Sequence, residues 1–156
     1  MSTPFTIHYR FSTTDNTADE VDLTEADEMS FSYDLFLGSL TMECNGRKIT
    51  IVWEWIPLLD FAQSLRSIAL ELSQEGDGTG EYIFTESDEN LYFELREQNV
   101  EVSTSYSDET MSIPFSDFRE GAMAFYKKIV LELLDKYPEL QDNSVFEAYL
   151  LRIGEQ

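Results

Sequence analysis

The chain has 156 residues and carries 31 Asp and Glu against 10 Lys and Arg, a formal net charge of −21. This charge argues against direct binding to nucleic acid or to anionic membrane surfaces, because both need Lys and Arg on the protein. Hydrophobic residues make up 42% and aromatic residues 13%, which is too much for a disordered acidic tail. We therefore expect a single folded domain over residues 1–156.

The first half of the chain predicts strands followed by a helix. Residues 12–28 are polar and acidic and predict a mobile loop. Asn45-Gly46 predicts a hairpin, because a type I′ turn needs positive φ at both positions. Apolar residues at three- and four-residue spacing from Leu58 to Leu72 predict an amphipathic helix that ends at the Gly-rich segment 76–80. Strands are predicted over 5–11, over 29–37 and over 47–56. A turn at 38–39 follows the second of these, and the strand pattern resumes over 40–44.

The second half predicts a meander followed by two helices. A long helix begins after Ser116 as N-cap and ends near Tyr137, because Pro138 follows. A short last helix runs from Ser144 to Ile153. The meander strands are 82–85, 91–96, 100–106 and 111–115, joined by turns at 87–90, 98–99 and 107–109.

This order of elements predicts an α+β fold. An antiparallel sheet of about six to seven strands is packed on one face by two long helices and a short C-terminal helix.

The negative charge is unevenly distributed along the sequence. Residues 11–46 hold nine acids and no base, and residues 75–118 hold twelve acids and one base. The two long helical stretches are close to neutral. If helices cover one face of the sheet, the carboxylates crowd the open face and its loops. Simple solvation of the surface is the alternative explanation.

Metal-binding patterns are not found in the sequence. An EF-hand loop needs Gly at its sixth position, where a loop starting at Asp15 has Glu20 and one starting at Asp77 has Tyr82. One His and one Cys are too few for a zinc site. We expect no metal and no cofactor.

Catalytic patterns are also lacking, so we expect a protein that is not an enzyme. A Cys–His pair would require Cys44 and His8 to meet, and a buried Cys beside an ordinary strand His is the simpler interpretation. Gly76, Gly78 and Gly80 lack the Lys of a phosphate-binding loop. Paired carboxylates arise by chance among 31 acids, so a carboxylate-based enzyme or a small-ligand binder stays an open alternative.

The aromatic residues admit two interpretations. Trp53 and Trp55 share a strand face with apolar neighbours, which favours the core, with an apolar ligand cleft as the alternative. Tyr82, Tyr92 and Tyr106 lie among carboxylates, as in an interface where Tyr contacts the partner and acids steer it. Core packing explains these three rings equally well.

The single Cys44 excludes an internal disulfide, and residues 1–11 do not have the pattern of a signal peptide. We therefore expect a cytoplasmic protein. The oligomeric state stays open.

A compact, acidic, cytoplasmic α+β domain without catalytic groups resembles the immunity proteins of bacterial polymorphic-toxin and contact-dependent inhibition systems. The resemblance covers the whole chain in size and composition. It implies a protein that binds a basic toxin domain and blocks its active site. The matching acidic segments are 15–28, 86–89 and 108–109.

The leading hypothesis is therefore a non-catalytic binding protein that neutralises a basic partner, a toxin domain, through an acidic surface. The alternative is a DNA-mimic inhibitor of a DNA-binding protein, although Arg96 after Glu94 interrupts a regular ladder of carboxylates. The predicted partner-binding residues are Asp15, Asp19, Glu20, Asp22, Glu25, Asp27, Glu28, Glu86, Asp88, Glu89, Tyr92, Tyr106, Asp108 and Glu109.

Overall fold

The structure, a computed structural model, describes residues 5–13, 17–75, 78–84 and 89–154. The strands of this part of the chain are β1 (Thr6–Phe11), β2 (Leu37–Cys44), β3 (Arg47–Pro57), β4 (Gly78–Ile83), β5 (Asn90–Arg96), β6 (Asn99–Thr104) and β7 (Thr110–Pro114). The α-helices are α1 (Thr17–Glu20), α2 (Leu58–Glu75), α3 (Phe115–Lys136) and α4 (Ser144–Ile153). A π-helical turn covers Ser30–Asp34, and a 3-10 helix covers Pro138–Asp142.

The strands form two antiparallel sheets, where the sequence predicted one. The first has the order β1-β2-β3 and the second β4-β5-β6-β7. β3 passes beside β7, and the loop before β7 is hydrogen-bonded to Thr50 of β3. The predicted α+β class, with two long helices and a short C-terminal helix on antiparallel strands, is confirmed.

The long helices bury the inner faces of both sheets. α2 packs against α3 and β4, while α3 packs against β1, β6 and β7. Buried residues from all of these elements form one hydrophobic cluster. α4 and the 3-10 helix pack against α3 and against each other. Across the described ranges, the helices are all too short or too polar to cross a membrane.

The hairpin between β2 and β3 has the predicted turn. Asn45 and Gly46 have φ of +52° and +83°, as a type I′ turn requires. The register then shifts, because Leu40 pairs with Ile51 whereas Gly38 pairs with Ile56. The extra residues of β3 bulge out of the ladder, and this bulge carries both tryptophans.

The strand predicted over 29–37 is wrong in its first part. Residues 30–34 form the π-helical turn, in which the Leu35 N–H donates to Ser30 O at 3.0 Å. The helical spacing buries Phe31 and Leu35 together, while Tyr33 between them is 51% exposed. Apolar residues at 31, 33 and 35 alternate as they would in a strand. Residues 31 and 35 are, however, the i and i+4 positions of a one-turn helix, and both face the core.

The acidic segment 12–28 was expected to be a mobile loop, and its described part contains α1 and is attached to the core. Leu23 is only 1% exposed. The buried Asn143 side chain donates to the backbone O of Leu23 at 2.7 Å and of Ala26 at 2.8 Å. That the whole segment is mobile stays a prediction. Residues 23–26, however, are held in place by the hydrogen bonds from Asn143, about 120 positions further along the chain.

Two boundaries differ from the sequence prediction. Gly78 and Gly80 lie in β4 rather than in a helix stop, and a Cβ at Gly80 would stand 2.8 Å from Ile68 of α2, so this glycine permits close packing of strand on helix. α3 begins at Phe115 directly after Pro114, without a side-chain cap. The predicted N-cap, Ser116, is therefore already inside the helix.

The β5–β6 turn provides a test of backbone strain. Glu97 and Gln98 have φ of +52° and +74°, a left-handed region that costs a residue with a Cβ about 1 kcal/mol or more. We expect Gln98→Gly to stabilise the protein by about 1 kcal/mol, measured as a higher urea midpoint. Gly46→Ala adds a Cβ into open space at φ +83°. It should destabilise the protein by a similar free energy and so lower the urea midpoint. An unchanged midpoint in both variants would contradict this account.

Candidate functional site

The predicted partner-binding residues fall in three places. Tyr92 lies on the open face of the second sheet and is 39% exposed. Asp15, Glu86 and Asp88 lie outside the described residues. The loops that join β4 to β5 and β6 to β7 carry Glu89, Tyr106, Asp108 and Glu109. The acidic segment carries the other six, which are all exposed: Asp19, Glu20, Asp22, Glu25, Asp27 and Glu28.

The structure brings the loop residues of the second sheet against the two tryptophans of β3. Trp53 and Trp55 stack with ring centroids 5.3 Å apart at an angle of 21°. Tyr106 meets Trp53 edge-on at 5.0 Å, and Phe84 meets Trp53 edge-on at 5.3 Å. Phe84 is buried, whereas both indoles and Tyr106 are half-buried. We call these four residues the aromatic junction.

Hydrogen bonds fasten the β6–β7 loop to β3 at the aromatic junction. The Tyr106 hydroxyl donates to Thr50 O at 3.1 Å. The Thr50 N–H donates to Glu109 Oε1 at 3.4 Å, and the Ser107 hydroxyl donates to the same carboxylate at 3.3 Å. The loop therefore bonds to both backbone groups of Thr50, which fixes Tyr106 beside the indoles.

Two carboxylates lie close enough to the junction to act on its tyrosine. Burial, followed by the negative charges of Glu109 and Glu89, raises the pKa of Tyr106 above its ordinary value. Glu54, between the two tryptophans, is exposed and forms an ion pair with Arg10 at 3.2 Å. The junction thus presents half-buried aromatic rings with an acidic border, an arrangement suited to a cationic side chain.

The open face of the second sheet is less acidic than the sequence predicted. Its carboxylates are Glu81, Glu94 and Glu101, interspersed with hydroxyl side chains. Glu94 is paired with Arg96 at 2.5 Å, and Glu101 accepts a hydrogen bond from Ser112 at 3.0 Å. Among the described residues of this region, the excess of acids over bases lies in the loops more than on the strands.

The open face of the first sheet carries charges of both signs. His8 lies 3.6 Å from Glu43, and Lys48 stands opposite Glu43 on the next strand. Cys44 faces the other side and is 1% exposed, and burial followed by the charge of Asp117 raises its pKa. Cys44 therefore lies on the buried face of the first sheet and His8 on its open face.

One titratable group was missed in the sequence. Asp60, in the first turn of α2, is partly buried and accepts a hydrogen bond from the Tyr82 hydroxyl at 3.3 Å. Burial raises the pKa of Asp60 to about 6, although the Tyr82 bond acts in the opposite direction. The available signal was an acid flanked by Leu59 and Phe61, both buried. A lone acid in such a setting is a general feature of helix starts, so the sequence did not single it out.

In the ranges that the structure describes, no group of three or more His, Cys, Asp or Glu side chains is placed to hold a metal ion. No protein-family model, curated protein or solved structure matches the chain.

Proposed function

We propose that this chain is a binding protein that neutralises a basic partner protein by covering it, in the manner of the toxin immunity proteins that its composition resembles. The observation that carries the proposal is the aromatic junction with Glu89 and Glu109 at its border. The partner would be a cationic toxin domain, and the interaction would be non-catalytic and cytoplasmic.

The junction supplies the kind of contact that dominates protein interfaces. Trp and Tyr are enriched among residues whose loss weakens binding most, and they act best when fixed in place before the partner arrives. A Lys or Arg over an indole face gains about 0.5–2 kcal/mol, more as water is excluded. The neighbouring carboxylates add charge-assisted hydrogen bonds to the same cation.

The net charge of −21 would act before contact. Opposite charge on a partner raises the association rate, and salt screens this effect over about 8 Å at physiological ionic strength. We expect the association rate constant to fall about tenfold or more between 50 and 500 mM NaCl. A rate that does not change with salt would contradict electrostatic steering.

The test requires a partner captured from the source organism at low salt, identified and then purified. We expect Glu89→Lys with Asp108→Lys to weaken its binding about tenfold or more, measured by biosensor kinetics. The matched control is Glu139→Lys with Glu147→Lys, which changes the net charge equally at exposed positions of the 3-10 helix and α4. The control should bind like the unchanged protein apart from a small loss in association rate.

Tryptophan fluorescence locates the contact independently. The chain has two tryptophans, both in the aromatic junction, so a partner that covers it should change the emission. Equal weakening by both double variants, or unchanged emission on binding, would contradict the junction as the site. If DNA displaces the partner, the DNA-mimic alternative is favoured instead.

A further inference from the structure

A second surface, in the acidic segment, has the features of a docking site. A groove of about 620 Å³ opens between α1 and the start of β2, and its lining includes Val21, Asp22, Glu25, Tyr33 and Asp34. We call it the loop groove. Three of the seven exposed large hydrophobic residues in the described chain belong to this segment. Val21 and Tyr33, which are 44% and 51% exposed, line the groove, and Met29, which is 67% exposed, directly precedes Ser30 of the lining. Their clustering within 13 positions leaves an apolar surface open to solvent.

The walls of the loop groove are held in place by bonds that need no ligand. Leu23 is buried, and Asn143 holds the backbone on both sides of Glu25. The Ser30 N–H donates to Asp27 Oδ1 at 2.9 Å, and this bond lowers the pKa of Asp27. A surface that is ordered before binding loses less conformational entropy when a partner docks.

The charged residues that line the loop groove are all acidic. Asp22, Glu25 and Asp34 line it, and residues 11–46 contain no Lys or Arg. An occupant that complements this lining therefore brings apolar side chains for Val21 and Tyr33 and cations for the carboxylates. A purely apolar occupant would leave these carboxylates without an opposite charge, and an acidic occupant would be repelled by them.

The secondary structure of the groove walls favours a helical occupant over an extended one. Most of the lining belongs to turns and to the π-helical turn, and only Leu37 belongs to a strand. An extended peptide gains its affinity by pairing with a strand edge, which this lining does not offer, whereas a helix satisfies its own backbone.

We propose that the loop groove docks a cationic amphipathic helix, with apolar side chains on Val21 and Tyr33 and Lys or Arg against Asp22, Glu25 and Asp34. This rests on the proposed function in taking the partner to be basic, but it concerns a surface separate from the aromatic junction. The junction would bind single cationic side chains, and the loop groove a whole helical face.

The test uses a synthetic amphipathic helix of Leu and Lys as probe. Methyl spectra of protein with labelled methionine report on the groove through Met29, with the buried Met42 and Met111 as internal references. We expect the peptide to shift the Met29 signal, while a peptide of the same composition without amphipathic order shifts it little. Val21→Ser with Tyr33→Ser should weaken binding about tenfold or more. Leu151→Ser, which removes a 63% exposed side chain from α4, should leave it unchanged.

The outcomes separate this inference from the proposed function. If the peptide changes tryptophan emission but leaves Met29 unshifted, the loop groove is not the docking site while the junction stands. Equal loss in the Leu151 variant would show unspecific hydrophobic binding and overturn the inference. A Met29 shift that depends on protein concentration without peptide would identify a second copy as the occupant, which also overturns it.

Discussion

Replacing Asn143 with alanine is expected to lower the free energy of unfolding by about 3 kcal/mol. Its Oδ1 accepts the N–H groups of Val145 at 2.8 Å and Phe146 at 2.9 Å, which caps α4. Its Nδ2 donates to the backbone of Leu23 and Ala26. The residue is 2% exposed, so the groups left without a partner are poorly reached by water. Loss of a cap costs about 1 kcal/mol, and each buried unsatisfied group about 1–3 kcal/mol.

The two roles of Asn143 can be separated by a second variant. Asn143→Ser keeps an oxygen that caps α4 but cannot reach the carbonyls of residues 23 and 26, so its loss should be intermediate. Urea unfolding measures both variants, and hydrogen exchange near Leu23 reports the attachment of the acidic segment. A loss below about 1 kcal/mol for Asn143→Ala would mean that the attachment contributes nothing to stability.

Asp60→Asn is expected to stabilise the protein at pH 7 and to leave its stability near pH 4 unchanged. Burial raises the pKa of Asp60 to about 6 in the folded protein from an ordinary value of 3.8. The folded state then holds more protons than the unfolded state between these values, so the free energy of unfolding falls as pH rises from about 4 to 6. Two units correspond to about 3 kcal/mol at most, and partial exposure of the side chain reduces this to about 1–2 kcal/mol.

The comparison needs a correction for net charge. Removing any carboxylate from a chain with a charge of −21 relieves repulsion as pH rises. Asp135→Asn removes an exposed carboxylate from α3 and supplies the baseline. Asparagine can still accept the Tyr82 hydrogen bond, so packing at residue 60 is preserved. If the two variants show the same dependence on pH between 4 and 7, the burial of Asp60 does not control stability.

The sequence predicted the elements whose signals are local. Asn45-Gly46 defined a hairpin through backbone conformation alone, and the spacing of Leu58 to Leu72 defined α2. It failed where two periods coincide, since Phe31 and Leu35 fit both a strand and a helical turn. The division into two sheets depends on how β3 meets the loop before β7, a contact between residues more than 50 positions apart.

The candidate site shows the same limit. A count of charges located the acidic segments along the sequence, and the structure brings Glu109 and Glu89 near Tyr106. That these residues bind a partner stays a prediction. No local pattern indicated that the Tyr106 ring would lie on Trp53, because the bulge in β3 and the β6–β7 loop create that contact. Asp60 escaped notice for a related reason, since its burial results from the packing of α2 against β4.

The bonds from Asn143 to the acidic segment have a consequence for synthesis of the protein. Leu23 emerges from the ribosome 120 residues before Asn143. At about 5–20 residues per second, this interval lasts about 6–24 seconds. During that time the two hydrogen bonds from Asn143 cannot form, so the acidic segment is held only by contacts within itself and with earlier parts of the chain. The attachment of the acidic segment therefore forms only after residue 143 has been made, long after the segment itself.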